Sequence, residues 1–127
     1  MAELWQRMAK AYRIAAAAIA MMVAAGSAQA GSVSGETIIG LSISTATNFQ
    51  GQSGFVVVYL SGTESNRPGC ASGGYPAFAI NAGTTAGAAV IAQLIATQAQ
   101  GRSISITGTG ACTLTPGIED LYSTTVN

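Results

Sequence analysis

TTAGAAVIAQLIATQAQGRSISIT, residues 84–107, holds a helix, a stop and a strand in one continuous run. Thr84 or Thr85 suits an N-cap, because a threonine hydroxyl accepts a bond from a free amide of the first turn. From Ala86 to Gln100 there is no proline and alanine is frequent, which favours helix. Val90, Ile91, Leu94 and Ile95 fall on one stripe, with Gln93, Thr97 and Gln100 facing away. Gly101 stands where a helix end needs positive φ. Beyond it the period changes to two: Ile104 and Ile106 alternate with Ser103, Ser105 and Thr107, the pattern of a strand with one buried face.

Outward from this run, the chain of 127 residues divides in two. Residues 1–30 carry Arg7, Lys10 and Arg13, then an apolar run from Ile14 to Ala25, then Gly-Ser-Ala-Gln-Ala ending at Ala30. A basic segment, a short apolar segment and an A-x-A ending read as a secretory signal peptide cleaved after Ala30. The competing reading is a retained anchor, but the apolar run falls short of the roughly 20 residues a membrane span needs. Residues 31–127 are then a single secreted or periplasmic domain. All four methionines, the tryptophan and the lysine lie in the leader. Arg67 and Arg102 remain against Glu36, Glu64, Glu119 and Asp120, a net charge of −2. Without a basic patch, binding of nucleic acid through its phosphates is not expected. Nor is any membrane contact, once the leader is removed.

The remaining segments read as short strands. Glu36–Ser44 alternates Ile39, Leu41 and Ile43 with Gly40, Ser42 and Ser44, after a flexible start at residues 31–35. Phe55–Leu60, FVVVYL, is continuously apolar and β-branched, as a central strand would be. Ala77–Asn81 is a third strand, Ser103–Thr107 the fourth and Ile118–Val126 the fifth. The loops at 45–54, 61–76 and 108–117 are rich in Gly, Ser, Asn and Pro. The order β-β-β-α-β-β, mainly β with one helix between strands 3 and 4, is that of a small five-stranded OB-fold-like barrel. An open α+β sheet is the alternative. Cys70 and Cys112 are the two cysteines, and an oxidising destination makes them a disulfide closing a loop of 42 residues. A metal pair or redox pair is disfavoured by the absence of His and of CxxC spacing.

Catalytic chemistry finds few candidates. The chain has no His, and the domain has no Lys and no G-x-S-x-G elbow. Glu119 and Asp120 are adjacent, so on a strand they point to opposite faces. The carboxylates read as solvated surface groups. We therefore expect no enzyme, no metal and no cofactor. Binding of a sugar fits better, since hydroxyl and amide side chains beside aromatics offer donors, acceptors and a stacking face. The candidates are Asn48 and Phe49 in loop 45–54, and Asn66, Arg67 and Tyr75 in loop 61–76. Arg67 would pair with the carboxylate of an acidic sugar. A structural or interaction protein of the cell envelope or matrix, with no small ligand, is the alternative function.

A leader, a short strand, Arg67-Pro68-Gly69-Cys70, and a helix running into Gly101-Arg102-Ser103-Ile104-Ser105-Ile106 together resemble the B subunits of AB5 toxins of the subtilase-cytotoxin and typhoid-toxin type. The resemblance implies an OB-fold, a disulfide, a homopentameric ring and a cell-surface sialylated glycan as partner. It also implies a sugar-contacting serine near the first strand, which here is Ser34.

Overall fold

The computed structural model describes residues 29–127 except Phe49 and Gln52. Residues 1–28, most of the segment read as a leader, and Phe49 therefore lie outside the described residues. Five strands and one helix follow in the expected order: β1 (Ser32–Thr47), β2 (Ser53–Leu60), β3 (Ala77–Asn81), α1 (Thr85–Ala99), β4 (Ser103–Gly108) and β5 (Glu119–Val126). The strands close into a barrel in the order β1-β2-β3-β5-β4, the Greek-key order of an OB-fold. Neighbours run antiparallel except β3 and β5, which are parallel.

β1 is long enough to serve both halves of the barrel. Its first part pairs with β4 (Val33 opposite Ile106) and its second with β2 (Leu41 opposite Val58). Residues 32–35 are thus strand rather than part of a flexible start. The ladder bulges between Val33 and Glu36, where Gly35 takes a φ of 68° that only glycine adopts freely. A second bulge between Ile38 and Gly40 resets the alternation. Ile38 consequently joins the core, Ile39 is 50% exposed and Leu41 packs at the core's margin. A bulge shifts the facing of every residue after it, which is why simple alternation misplaced this face.

The core consists of Val33, Ile38, Val58, Leu60, Phe78, Ile80, Leu94, Ile104 and Ile106. β2 is buried on both faces, as its unbroken apolar run requires: Val57 and its register partner Ala79 are buried on the side opposite Val58 and Phe78. α1 starts at Thr84, whose Oγ1 accepts from Gly87 N at 3.0 Å. It ends at Gly101 with φ 64°. Leu94 is fully buried, and Val90 and Ile91 pack on the core. Ile95, expected inside, is 49% exposed, while Thr97, expected outside, is buried with its hydroxyl donating to Gln93 O at 2.8 Å. The stripe is therefore rotated by a fraction of a turn, and a hydroxyl that bonds its own helix backbone can take the inner position.

Cys70 and Cys112 form a disulfide with Cα atoms 6.1 Å apart, joining the β2–β3 loop to the β4–β5 loop. Among the described residues no helix is long and apolar enough to cross a membrane.

Candidate functional site

The clearest concavity follows from the barrel's closure. β3 and β5 pair only at Phe78–Glu119 and Ala79–Asp120. Beyond these pairs β5 follows β4, and β3 leads into the helix. The gap is a groove of about 490 Å³. Its floor is apolar, formed by Ala79, Ile80, Val90, Leu114 and Leu121. Its rim is polar, with Gln50, Asn81, Thr84, Thr109, Thr113 and Asp120, and Tyr122 standing at one side with 75% of its surface exposed.

Each wall has a cause in the sequence. The helix end of the groove is set by Gly87, where a Cβ would collide with the Asn81 carbonyl, so only glycine lets the first turn sit this close to β3. The opposite wall is the β4–β5 loop, which Asp120 holds. The Asp120 carboxylate accepts from Thr113 N at 3.0 and 3.1 Å, from Leu114 N at 3.1 Å, and from the Thr113 hydroxyl. Charged acceptors make such bonds about twice as strong as neutral ones.

A relay of side chains then circles the rim. Gln50 Nε2 donates to Thr113 Oγ1 at 2.9 Å, Asn81 Nδ2 donates to Gln50 Oε1 at 3.0 Å, and Asn48 Nδ2 donates to Asn81 Oδ1 at 3.3 Å. All donors point the same way, toward Asp120, so each bond polarises the next. The rim is thereby pre-ordered from two loops and the end of β3, segments that are distant in sequence.

The residues singled out from sequence fall in different places. Asn48 is buried and holds its own loop together, donating to Gly54 O and accepting from Gln50 N. It reaches the groove only through Asn81. Ser34 is exposed at the first bulge of β1. Asn66 is exposed with a φ of 56°, a conformation asparagine tolerates better than most residues. Arg67 is committed internally: Nε bonds Glu64 Oε2 at 2.8 Å, and the two terminal nitrogens donate to Gly73 O at 2.7 Å and Tyr75 O at 3.0 Å. Tyr75 is 64% exposed on that same loop. Ser34, Arg67 and Tyr75 do not line the groove. The residues that sequence reasoning missed are Asn81, Thr84, Thr113, Asp120 and Tyr122, which converge only because β3 and β5 are neighbours although their paired residues lie 41 positions apart in sequence.

The carboxylates are not the solvated groups their sequence setting suggests. Glu119 is fully buried and Asp120 nearly so. They do point to opposite faces, Glu119 beside Phe78 on the core side and Asp120 beside Ala79 on the groove side. The Glu64 side chain is buried against Arg67. Among the described carboxylates only Glu36 keeps a partly open position, accepting from the Ser61 hydroxyl at 2.6 Å. Among the described residues no three His, Cys, Asp or Glu side chains gather as a metal set would. Comparison with protein-family models, with curated proteins and with solved structures returned no match.

Proposed function

We propose that this chain is a non-catalytic secreted or periplasmic binding domain whose groove between β3, β5 and the start of α1 takes a glycan. The observation that carries the reading is the pairing of a pre-ordered rim of hydroxyls and amides with an exposed Tyr122 ring over an apolar floor. Sugars need such a combination, since they present hydroxyls at their edges and C–H groups on their faces. The rim has no cationic side chain, and Arg67 spends its donors on Glu64, Gly73 and Tyr75. A neutral sugar therefore fits the groove better than the sialylated glycan that the toxin resemblance implies.

The processed domain should bind one class of neutral oligosaccharide on a glycan panel, with Tyr122→Ala weakening it by tenfold or more, the loss of about 1.4 kcal/mol. A folded Tyr122→Ala protein that binds the same sugar undiminished would remove the groove as the site.

A second reading, an envelope or matrix protein that acts by assembly, is favoured by Ile39, Ile43 and Ile95, which are 50, 69 and 49% exposed. Apolar surface of this kind suits a subunit contact, and a ring of five copies is the assembly the resemblance implies. Native mass separates the readings: a discrete pentamer supports assembly, and a monomer at micromolar concentration excludes it.

A further inference from the structure

Gly31 sits inside a ring of carboxylate oxygens. It is buried, its N–H donates to Glu119 Oε1 at 2.9 Å, and its carbonyl accepts from Gly108 N at 2.8 Å. Glu119 Oε1 also accepts from Gly110 N at 2.7 Å. Two oxygens nearby, Glu119 Oε2 and Glu64 Oε1, are buried with no partner. Both border Gly31, because a Cβ built there would collide with each of them. Two carboxylates face one cation, Arg67, whose carboxylate contact among the described residues is with Glu64 Oε2, its other donors going to Gly73 O and Tyr75 O. With both groups ionised, the pair carries one negative charge more than Arg67 balances, and the two oxygens have no donor. Leaving a buried carboxylate oxygen unpaired is costly.

The sequence supplies the missing group. Ala28-Gln29-Ala30 is an A-x-A cleavage signal, and the residue after it is Gly31. We propose that removal of the leader between Ala30 and Gly31 creates a buried α-ammonium ion pair with Glu119 and Glu64, so that the processed N-terminus is itself a structural cation. The inference rests on the leader reading. Water adds across the Ala30–Gly31 peptide bond under a leader peptidase. The carboxylate leaves on Ala30, and the amine stays on Gly31, where it takes up a proton at neutral pH. A peptide nitrogen has one N–H, whereas an ammonium has three. One keeps the existing bond to Glu119 Oε1, and the other two match in number the two orphan oxygens that border Gly31. The glycine follows from the same geometry, since any side chain would occupy the space of the carboxylates.

The test exploits a feature of composition. Lys10 is the sole lysine, so a chain beginning at Gly31 contains one amine and no other. The exported protein is purified, its N-terminus is read by intact mass, and it is acetylated at neutral pH both folded and in guanidinium. A form retaining Ala30 at its N-terminus, which carries the amine one residue farther out, serves as control. The expected result is a chain that starts at Gly31, with native acetylation slower than in guanidinium by a hundredfold or more, while the Ala30 form reacts fast in both. Acetylation carried out unfolded, followed by refolding, should lower the urea midpoint, and Glu64→Gln should lessen that drop. A start at any other residue, or native protection of less than tenfold, overturns the proposal. Because protection is read on the unmodified protein, the test does not depend on any variant folding.

Discussion

Replacing both Cys70 and Cys112 by serine should cost about 4 kcal/mol of stability. The disulfide spans 42 residues of sequence and joins two loops. In the chain-entropy account a loop of that length, left open in the unfolded chain, releases roughly 13 cal/mol/K, or about 4 kcal/mol at 25 °C. The native side should change little, because the same two loops are joined without the disulfide. Ser72 N donates to Gly117 O at 2.8 Å, and Asp120 separately grips Thr113 and Leu114. Four kcal/mol is close to a thousandfold in the folding equilibrium, and a domain of this size holds only about 5–15 kcal/mol in all. The double variant should therefore be folded but marginal. Urea unfolding measures the loss, and the slope m should rise as the unfolded chain expands. Amide exchange at Thr113 and Leu114 should stay as slow as global unfolding permits. A loss under about 1.5 kcal/mol refutes the entropic reasoning. Rapid exchange at those two amides would show that the loops part in the native state.

Gly87→Ala should destabilise by about 1–3 kcal/mol despite alanine's better helix propensity, because its Cβ meets the fixed Asn81 carbonyl rather than a movable side chain; thermal melting reads it. A pH series tests the Glu64 cluster in the chain whose Gly31 nitrogen is acetylated. Burial pushes the Glu64 carboxyl above its ordinary value of 4.5, Arg67 pulls it back and Glu119 pushes it up again. Its folded pKa being the higher, the contribution is fully present below 4.5 and is lost as the pH rises through the raised folded value. Chemical denaturation from pH 4 upward should show that fall, and Glu64→Gln should abolish it. A flat profile would count against the burial.

Much of this fold could be read from local pattern. The helix from Thr84 to Gly101 and the strands around it declare themselves through cap, period and glycine stop, all of which act within a few residues. What escaped has a different origin. The bulges at Gly35 and Ile39 depend on which strand each half of β1 joins, and nothing local encodes that. Thr97 faces inward because its hydroxyl is satisfied by Gln93 O, whereas a polarity pattern places any threonine outside. Arg67 meets Glu64 from three residues on and the Thr113 and Leu114 amides meet Asp120 from seven and six residues back, pairings that a polarity pattern does not record, while Gly31 N meets Glu119 from 88 residues away. The groove escaped for the same reason: Asn81 and Tyr122 meet only after the barrel closes. The disulfide was legible because compartment and count leave two cysteines a single intramolecular pairing.

Glu119 and Asp120, side by side on β5, hold the two faces of the same strand. Glu119 fixes Gly31 and Gly110 at the core side, while Asp120 fixes the wall of the groove. The Asp120 wall also carries Cys112, so it is natural to credit the disulfide with shaping the groove. The geometry assigns the parts differently. Cys112 ties its loop to Cys70, on the β2–β3 loop, and neither cysteine lines the groove. Asp120 bonds Thr113 directly, and Thr113 is the anchor of the relay through Gln50 and Asn81. The disulfide thus acts mainly on the unfolded chain, and Asp120 acts on the native wall. Asp120→Ala leaves the Thr113 and Leu114 amides without their charged acceptor, each worth about 1.5–3 kcal/mol. The sugar binding proposed for the groove should fail in Asp120→Ala at temperatures where the domain is still folded. It should survive in the folded fraction of the Cys70→Ser, Cys112→Ser protein. The reverse pattern, binding kept without Asp120 and lost without the disulfide, would show that the loop's position comes from the covalent link and that the relay around the rim is a passive consequence of it.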